Sequence, residues 1–402
     1  MGLRGRLADF LNLKLHIVIF VLLSSGTLIL SLQSTTNGQS AKKIYQSELY
    51  GGIEIGSKSI KAIVIQISEP SGRVKIVYTE EINSRLAQYN NGNLTTEAIG
   101  NIAQTVETIY RRMQREYQVP QEHIHIIGCS DLRAENIGEL TNTVTSRIGR
   151  NVTLLDMQSE ASLSIVGTIP RRYQDRATWF DNRGMSVLID IGNGNTKGGY
   201  QQIRMLPKGK PDYVFFTFGI PQGTFTFTDE VVQAAGSGAD LRKFALQARI
   251  LSDKSVREPL QQELEKRPGL VNRKKVYLSG GIVWAMVTLL YPQNRQLLVP
   301  ITAEDINVFY ARAINDPQGL LRPSLSKIRG RQTRMETEKE LAAVRSTFTP
   351  ENLVAGAEIL RIVARVFALN GKNREILFSR FGNLSLLLSY LRLQADNGPQ
   401  PG

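Results

Sequence analysis

Two glycine-rich turns, each set between apolar runs, recur far apart in the chain: GGIEIGSKSIKAIVIQI from Gly51 and LIDIGNGNTKGGY from Leu188. Each predicts a β-hairpin whose turn presents backbone N–H groups, and clustered free amides attract anions. Two such hairpins facing each other would grip a phosphate from both sides. The elements around them repeat as well. Glu48 to Ile67 reads as strand, turn and strand, and Val74 to Tyr78 as a third strand. Thr95 to Glu116 reads as a helix, because Ile99, Ile102, Val106, Ile109 and Met113 fall on one helical face. A buried strand at His123 to Gly128 and a helix at Glu135 to Ile148 follow. Strands then restart at Ser186 to Asp190, Thr196 to Ile203 and Tyr213 to Gly219, before helices and the apolar strand Val276 to Ser279. Three strands and then alternating helix and strand, twice over, predict a duplicated α/β lobe.

At 402 residues with 42% apolar content, the chain fills two lobes more naturally than one core. A formal net charge of +13, from 49 basic and 36 acidic residues, calls for an anionic partner. The single cysteine, Cys129, excludes an intramolecular disulfide. Three histidines (His16, His123, His125) leave little for a zinc site, so metal chemistry would use carboxylates.

The N-terminus is a separate object. Residues 1–14 are basic, and 15–32 (LHIVIFVLLSSGTLILSL) carry no Asp, Glu, Lys or Arg, about the shortest run that spans a bilayer as a helix. The run reads as an uncleaved single-pass anchor. A cleaved signal peptide with Ser24-Ser25-Gly26 as its small-residue site competes, although apolar residues continue past that point. Arg4, Arg6 and Lys14 favour a globular part outside the cytoplasm, against Lys42 and Lys43 on the other flank. Residues 33–44 form a polar tether, 45–182 and 183–394 the two lobes, and 395–402 a tail. Between Arg322 and Arg345 a basic stretch reads as a solvated helix and loop. Thr349-Pro350-Glu351 is a helix start, with a capping Thr and Pro at the first helical position.

Chemistry concentrates at the turns. Gly56, Ser57, Lys58 and Ser59 offer amides, hydroxyls and an ammonium to a phosphate, and Glu54 just before them suits a hydrated divalent cation. In the second turn Asp190 ends the strand and Gly192, Asn193, Gly194, Asn195, Thr196 and Lys197 follow. A third turn, Ser279-Gly280-Gly281, lies where a phosphate chain would pass over a helix N-terminus.

The order of these three turns resembles the actin-like ATPase superfamily of sugar kinases, heat-shock chaperones and actin. The intervening segments narrow it. GCSDLRAEN (128–136), SEASLSIVGTI (159–169), VLIDIGNGNTK and TFGIPQGTFTFTDE (217–230) are similar in order and spacing to the exopolyphosphatase and guanosine-pentaphosphate phosphatase (Ppx/GppA) family. That family's pattern runs roughly TSALR-x-A-x-N, E-E-A-x-L-x-x-x-G, IDIGGGSTE and P-L-G-x-V-x-L-T-E. The similarity covers about Gly51 to Gly281 well and the last third loosely.

The resemblance implies two ribonuclease H-like lobes with a ligand cleft between them, preceded here by the transmembrane helix, in the short form without a C-terminal histidine-aspartate domain. It implies Glu160 as the carboxylate that deprotonates the attacking water, Arg133 as a phosphate contact, and Mg²⁺ near Glu54 and Asp190. The chain departs from the pattern at four places: Glu54 for Asp, Lys58 for Asn, Ser159 for the first of two Glu, and Lys197 for the acid closing GGGSTE. The last change moves local charge by two units, and Lys58, Lys61 and Lys197 together imply a cleft more cationic than the family's, one that favours polyphosphate capture with or without turnover. The expected function is release of terminal phosphate from polyphosphate or guanosine pentaphosphate. A membrane-anchored, catalytically impaired polyphosphate- or nucleotide-binding module is the alternative. A kinase or actin-like ATPase is a third reading, disfavoured by Glu160 and Arg133. Nucleic acid is not an expected partner, and a homodimer stays open.

Overall fold

The computed structural model describes residues 47–68, 73–83, 89–90, 92–132, 134–170, 172–175, 178–207, 211–236, 238–371 and 373–397. The expected span at 15–32, the tether at 33–44, Arg133 and the end of the tail lie outside them. Among the described residues no helix is long and apolar enough to cross a membrane.

Strands β1 (Ser47–Ile55), β2 (Ser59–Ser68), β3 (Arg73–Asn83), β4 (Ile124–Gly128) and β5 (Val152–Leu154) form the first sheet in the order β3-β2-β1-β4-β5. The hairpin β1–β2 is antiparallel and β4 lies parallel to β1. Period-two alternation divides its side chains between two faces. Ile53, Ile55, Ile60, Ala62 and Val64 pack under helices α1 (Thr96–Arg115) and α2 (Ile137–Ile148). Ile63, Ile65 and Ile67 pack on the opposite side against Leu387 and Leu391.

Helix α1 starts where Thr95 Oγ1 accepts the Ala98 N–H at 3.1 Å. It buries Ile99, Ile102, Val106, Ile109 and Met113, the stripe expected from spacing. Each such side chain contributes about 1.5–3 kcal/mol on leaving water. Helix α3 (Met157–Thr168) follows β5, capped by the Asp156 carboxylate on the Ser159 N–H.

The second sheet repeats the plan. Strands β6 (Ser186–Ile191), β7 (Thr196–Met205), β8 (Pro211–Ile220), β9 (Lys275–Ser279), β10 (Leu298–Ile301) and β11 (Glu375–Ser379) are ordered β8-β7-β6-β9-β11-β10. Again a hairpin, β6–β7, opens the lobe, and β9 runs parallel to β6. Helices α4 (Thr224–Ala235), α5 (Gly281–Leu290), α6 (Arg331–Thr347) and α7 (Pro350–Val366) contribute to its core. The basic stretch became the largely exposed α6 and its preceding loop. Thr349 caps α7 with Pro350 in its first turn. A Cβ at Gly356 would stand 2.4 Å from Ile282 Cγ1, so α7 and α5 touch where only hydrogen fits.

The last helix, α8 (Ser385–Asn397), crosses back to the first sheet, where it packs on β1 and on α3. Helix α3 also leans on β7 and β8. Through these two helices the lobes share a spine, and Asp131 touches both hairpin turns, at Ser57 and at Gly194.

Candidate functional site

Both turns form as the sequence predicts. In the first, the Gly56 N–H reaches Ser59 O at 2.9 Å; in the second, the Gly192 N–H reaches Asn195 O at 2.9 Å. The β4 end lies beside the first turn, since the Cys129 N–H donates to Ile55 O at 2.9 Å. Hence Ser130 and Asp131 project between the two lobes.

Glu160 sits in the first turn of α3, the positive end of the helix, which suits a carboxylate. It is 4% exposed and its polar partners are donors. Lys197 Nζ stands 2.7 Å from its Oε1. The Ser130 N–H donates to Oε2 at 2.9 Å, and the Ser130 hydroxyl donates to the same oxygen. Burial alone would raise the Glu160 carboxyl, but the Lys197 ammonium and the Ser130 donors hold it below the usual carboxylate range.

Lys197 is equally committed. Besides Glu160 it contacts Asp190 Oδ2 at 3.2 Å and donates to Asn195 Oδ1 at 2.9 Å. An ammonium has three N–H bonds, and three acceptors surround this one. Burial would lower its pKa, yet Glu160 and Asp190 raise it well above the usual lysine value. Asn195 Nδ2 in turn donates to Ser130 Oγ at 3.0 Å. Lys197, Glu160, Ser130 and Asn195 therefore close a ring that joins the β4 end, α3 and the second turn.

The first turn has its own pair. Glu54 and Lys61 face each other across the β1–β2 register and pair at 3.0 Å. Burial pushes the Glu54 carboxyl up, partly offset by Lys61, and its Oε2 has no hydrogen-bond partner. Lys58 reaches over the Phe225 ring on α4, 5.5 Å from its centroid.

The other anticipated anion contacts divide. The first amides of α4 are taken by the second turn: Thr224 N–H by Gly192 O and Phe225 N–H by Asn193 O, both at 2.9 Å. The start of α5 differs, with no side-chain cap and no acid in its first turn. Gly280 before it has φ +101, and a Cβ there would lie 2.0 Å from Ile191 O, so the third turn sits hard against the end of β6. Of the residues expected to meet phosphate, the α5 N-terminus at Gly281 and Lys58 remain available, whereas Lys197 is saturated.

One expectation changes as a result. Among the described residues Glu54, Asp131, Glu160 and Asp190 set four carboxylates against Lys58, Lys61 and Lys197. Glu54 and Asp190 do not fit Mg²⁺ as they stand, because each holds a lysine ammonium. Among the described residues no group of three or more His, Cys, Asp or Glu could hold a metal ion.

Ser130 and Asp131 were missed from sequence. A signal existed for Asp131, a carboxylate where the family pattern TSALR has Ala. Ser57 Oγ donates to Asp131 Oδ2 at 2.6 Å.

No protein-family model and no curated protein matches this chain. Solved structures do. A Ppx/GppA family member from Aquifex aeolicus is similar over 85% of this chain and 98% of its own, with TM-score 0.57 and 15% identity. An exopolyphosphatase from Cytophaga hutchinsonii is similar over 86% and 99%, with TM-score 0.59 and 14% identity. An exopolyphosphatase-like protein is similar over 87% and 99%, with TM-score 0.58 and 15% identity. At these identities the likeness is one of fold, and it bears out the fold read from the motifs: the chain adopts the two-lobed, actin-like architecture of Ppx/GppA proteins.

Proposed function

We propose that this protein is a Ppx/GppA-type module that binds phosphoanhydride chains, polyphosphate or guanosine polyphosphate, and in which hydrolysis is held down by Lys197. The observation that carries this reading is the 2.7 Å contact between Lys197 Nζ and Glu160 Oε1. A general base must have a lone pair free within reach of the proton it removes. Here three of the roughly four lone-pair sites of the Glu160 carboxylate are taken, one by the Lys197 ammonium and two by Ser130 donors, and the ammonium lowers the basicity of what remains. The remaining clamp still offers Lys58 and the uncapped start of α5 to a terminal phosphate.

A second reading, active hydrolysis with Glu160 as base, is favoured by one fact: its lowered pKa keeps it ionised at neutral pH. Phosphate release and binding measured on the same full-length protein separate the two. Binding of polyphosphate without release supports the module. Release that disappears in Glu160→Gln supports the hydrolase.

The membrane anchor at 15–32 is part of the proposal, supported by hydropathy and flanking charge alone. A reporter fused after Gly402 reads the side on which the lobes lie, and activity of an extracytoplasmic-only reporter is the result expected.

A further inference from the structure

The first turn offers an anion two donors on Ser57, its N–H and its hydroxyl, and Asp131 takes both. Ser57 Oγ donates to Asp131 Oδ2 at 2.6 Å and the Ser57 N–H to Oδ1 at 3.4 Å. On the other side Asp131 lies against the second turn. A Cβ placed at Gly194 would stand 2.8 Å from Asp131 Cβ, and one at Gly56 would stand 4.0 Å from Asp131 Oδ1. The carboxylate therefore fills the gap between the two turns, accepting the hydrogen bonds that a phosphate oxygen would accept there.

Asp131 also differs from the other carboxylates of the cleft. Glu54 is paired with Lys61, and Glu160 and Asp190 with Lys197. Asp131 has no lysine or arginine partner among the described residues, and Ser57 is what it binds. Its negative charge, felt by the Lys197 ammonium but ion-paired with no cation among the described residues, faces an incoming anion.

We propose that Asp131 is a built-in competitor for phosphate: it occupies the first turn in the resting protein, and a terminal phosphate binds there only when the Asp131 carboxylate leaves Ser57. The proposal rests on the phosphate-binding reading of the cleft. Affinity is then scaled down by the fraction of molecules whose Ser57 donors are free, and the fold's clamp is kept without being permanently open to every phosphate in solution.

The test is calorimetric titration of the full-length protein with pyrophosphate and with long-chain polyphosphate. Asp131→Ala is expected to bind about tenfold or more tightly than wild type, the value of one or two charge-assisted hydrogen bonds. Asp131→Asn keeps an acceptor for Ser57 but no charge, so its affinity should fall between the two, and it serves if the alanine variant does not fold. Adding Ser57→Ala to Asp131→Ala should remove part of the gain, which a merely structural role for Asp131 does not predict. Equal affinities in wild type and both Asp131 variants overturn this proposal alone. Binding by none of them overturns it together with the phosphate-binding reading.

Discussion

Replacing Lys197 by methionine keeps most of its length and removes its charge, leaving Glu160 and Asp190 without their shared cation. Loss of one partner from a buried ion pair destabilises by about 3–5 kcal/mol. Here the lost partner serves two carboxylates and an amide, and it is 4% exposed. Glu160 can escape by taking up a proton. At pH 7, neutralising a carboxyl of ordinary pKa, 4.5, takes about 3.4 kcal/mol, and at about pH 5.5 it takes about 1.4. The defect of Lys197→Met should therefore be about 3–4 kcal/mol at neutral pH and shrink by about 2 kcal/mol on acidification to about pH 5.5. Wild type should show no such change over that range. Its Glu160 pKa is depressed, so the stability this group contributes is present above the unfolded value of 4.5 and is lost as pH falls through the folded value. Urea denaturation of both proteins at the two pH values checks it. A defect below about 1 kcal/mol, or one of equal size at both, refutes the buried ring as described.

Two further perturbations probe the frame that holds the ring. A Cβ at Gly167 would lie 2.2 Å from Ser385 O, so Gly167→Ala should force α3 from α8 and destabilise by about 2 kcal/mol despite better helix propensity; an unchanged melting temperature would show that this contact is loose. Burial pushes the His125 imidazole down from 6.5 to about 4. Between those values the unfolded chain binds the extra proton, so wild type loses stability as pH falls through that window, and His125→Phe should flatten the profile there when unfolding midpoints are compared.

Much of this molecule was legible in one dimension. Both hairpins, the stripe on α1 and the Thr349 cap follow from spacing and turn chemistry, because each is a contact between residues close in sequence. Glu54 opposite Lys61 belongs to the same class: once the first turn is placed, the hairpin register puts the two side by side. Glu160 and Lys197 were singled out for their identity, but their pairing was not, since it depends on how α3 and the second turn meet in space. The charge balance of the cleft was hidden for the same reason. Lysines counted along a sequence look like attraction for an anion, whereas buried lysines bring their own carboxylates with them. Ser130 and Asp131 were hidden because serine and aspartate after a strand are ordinary turn residues. Only the approach of Ser57, Gly194 and Asn195 gives them meaning.

The central claim is that the Lys197 ammonium neutralises Glu160 and Asp190 and thereby restrains the base. Lys197→Glu exchanges that ammonium for a carboxylate and, where added Mg²⁺ offsets the charge left on Glu160 and Asp190, releases Glu160 from its ion pair. Phosphate release from long-chain polyphosphate, with Mg²⁺ present, should be no greater for wild type than for Glu160→Gln, and should rise for Lys197→Glu. Release by wild type that Glu160→Gln abolishes, with no gain in Lys197→Glu, would contradict the account.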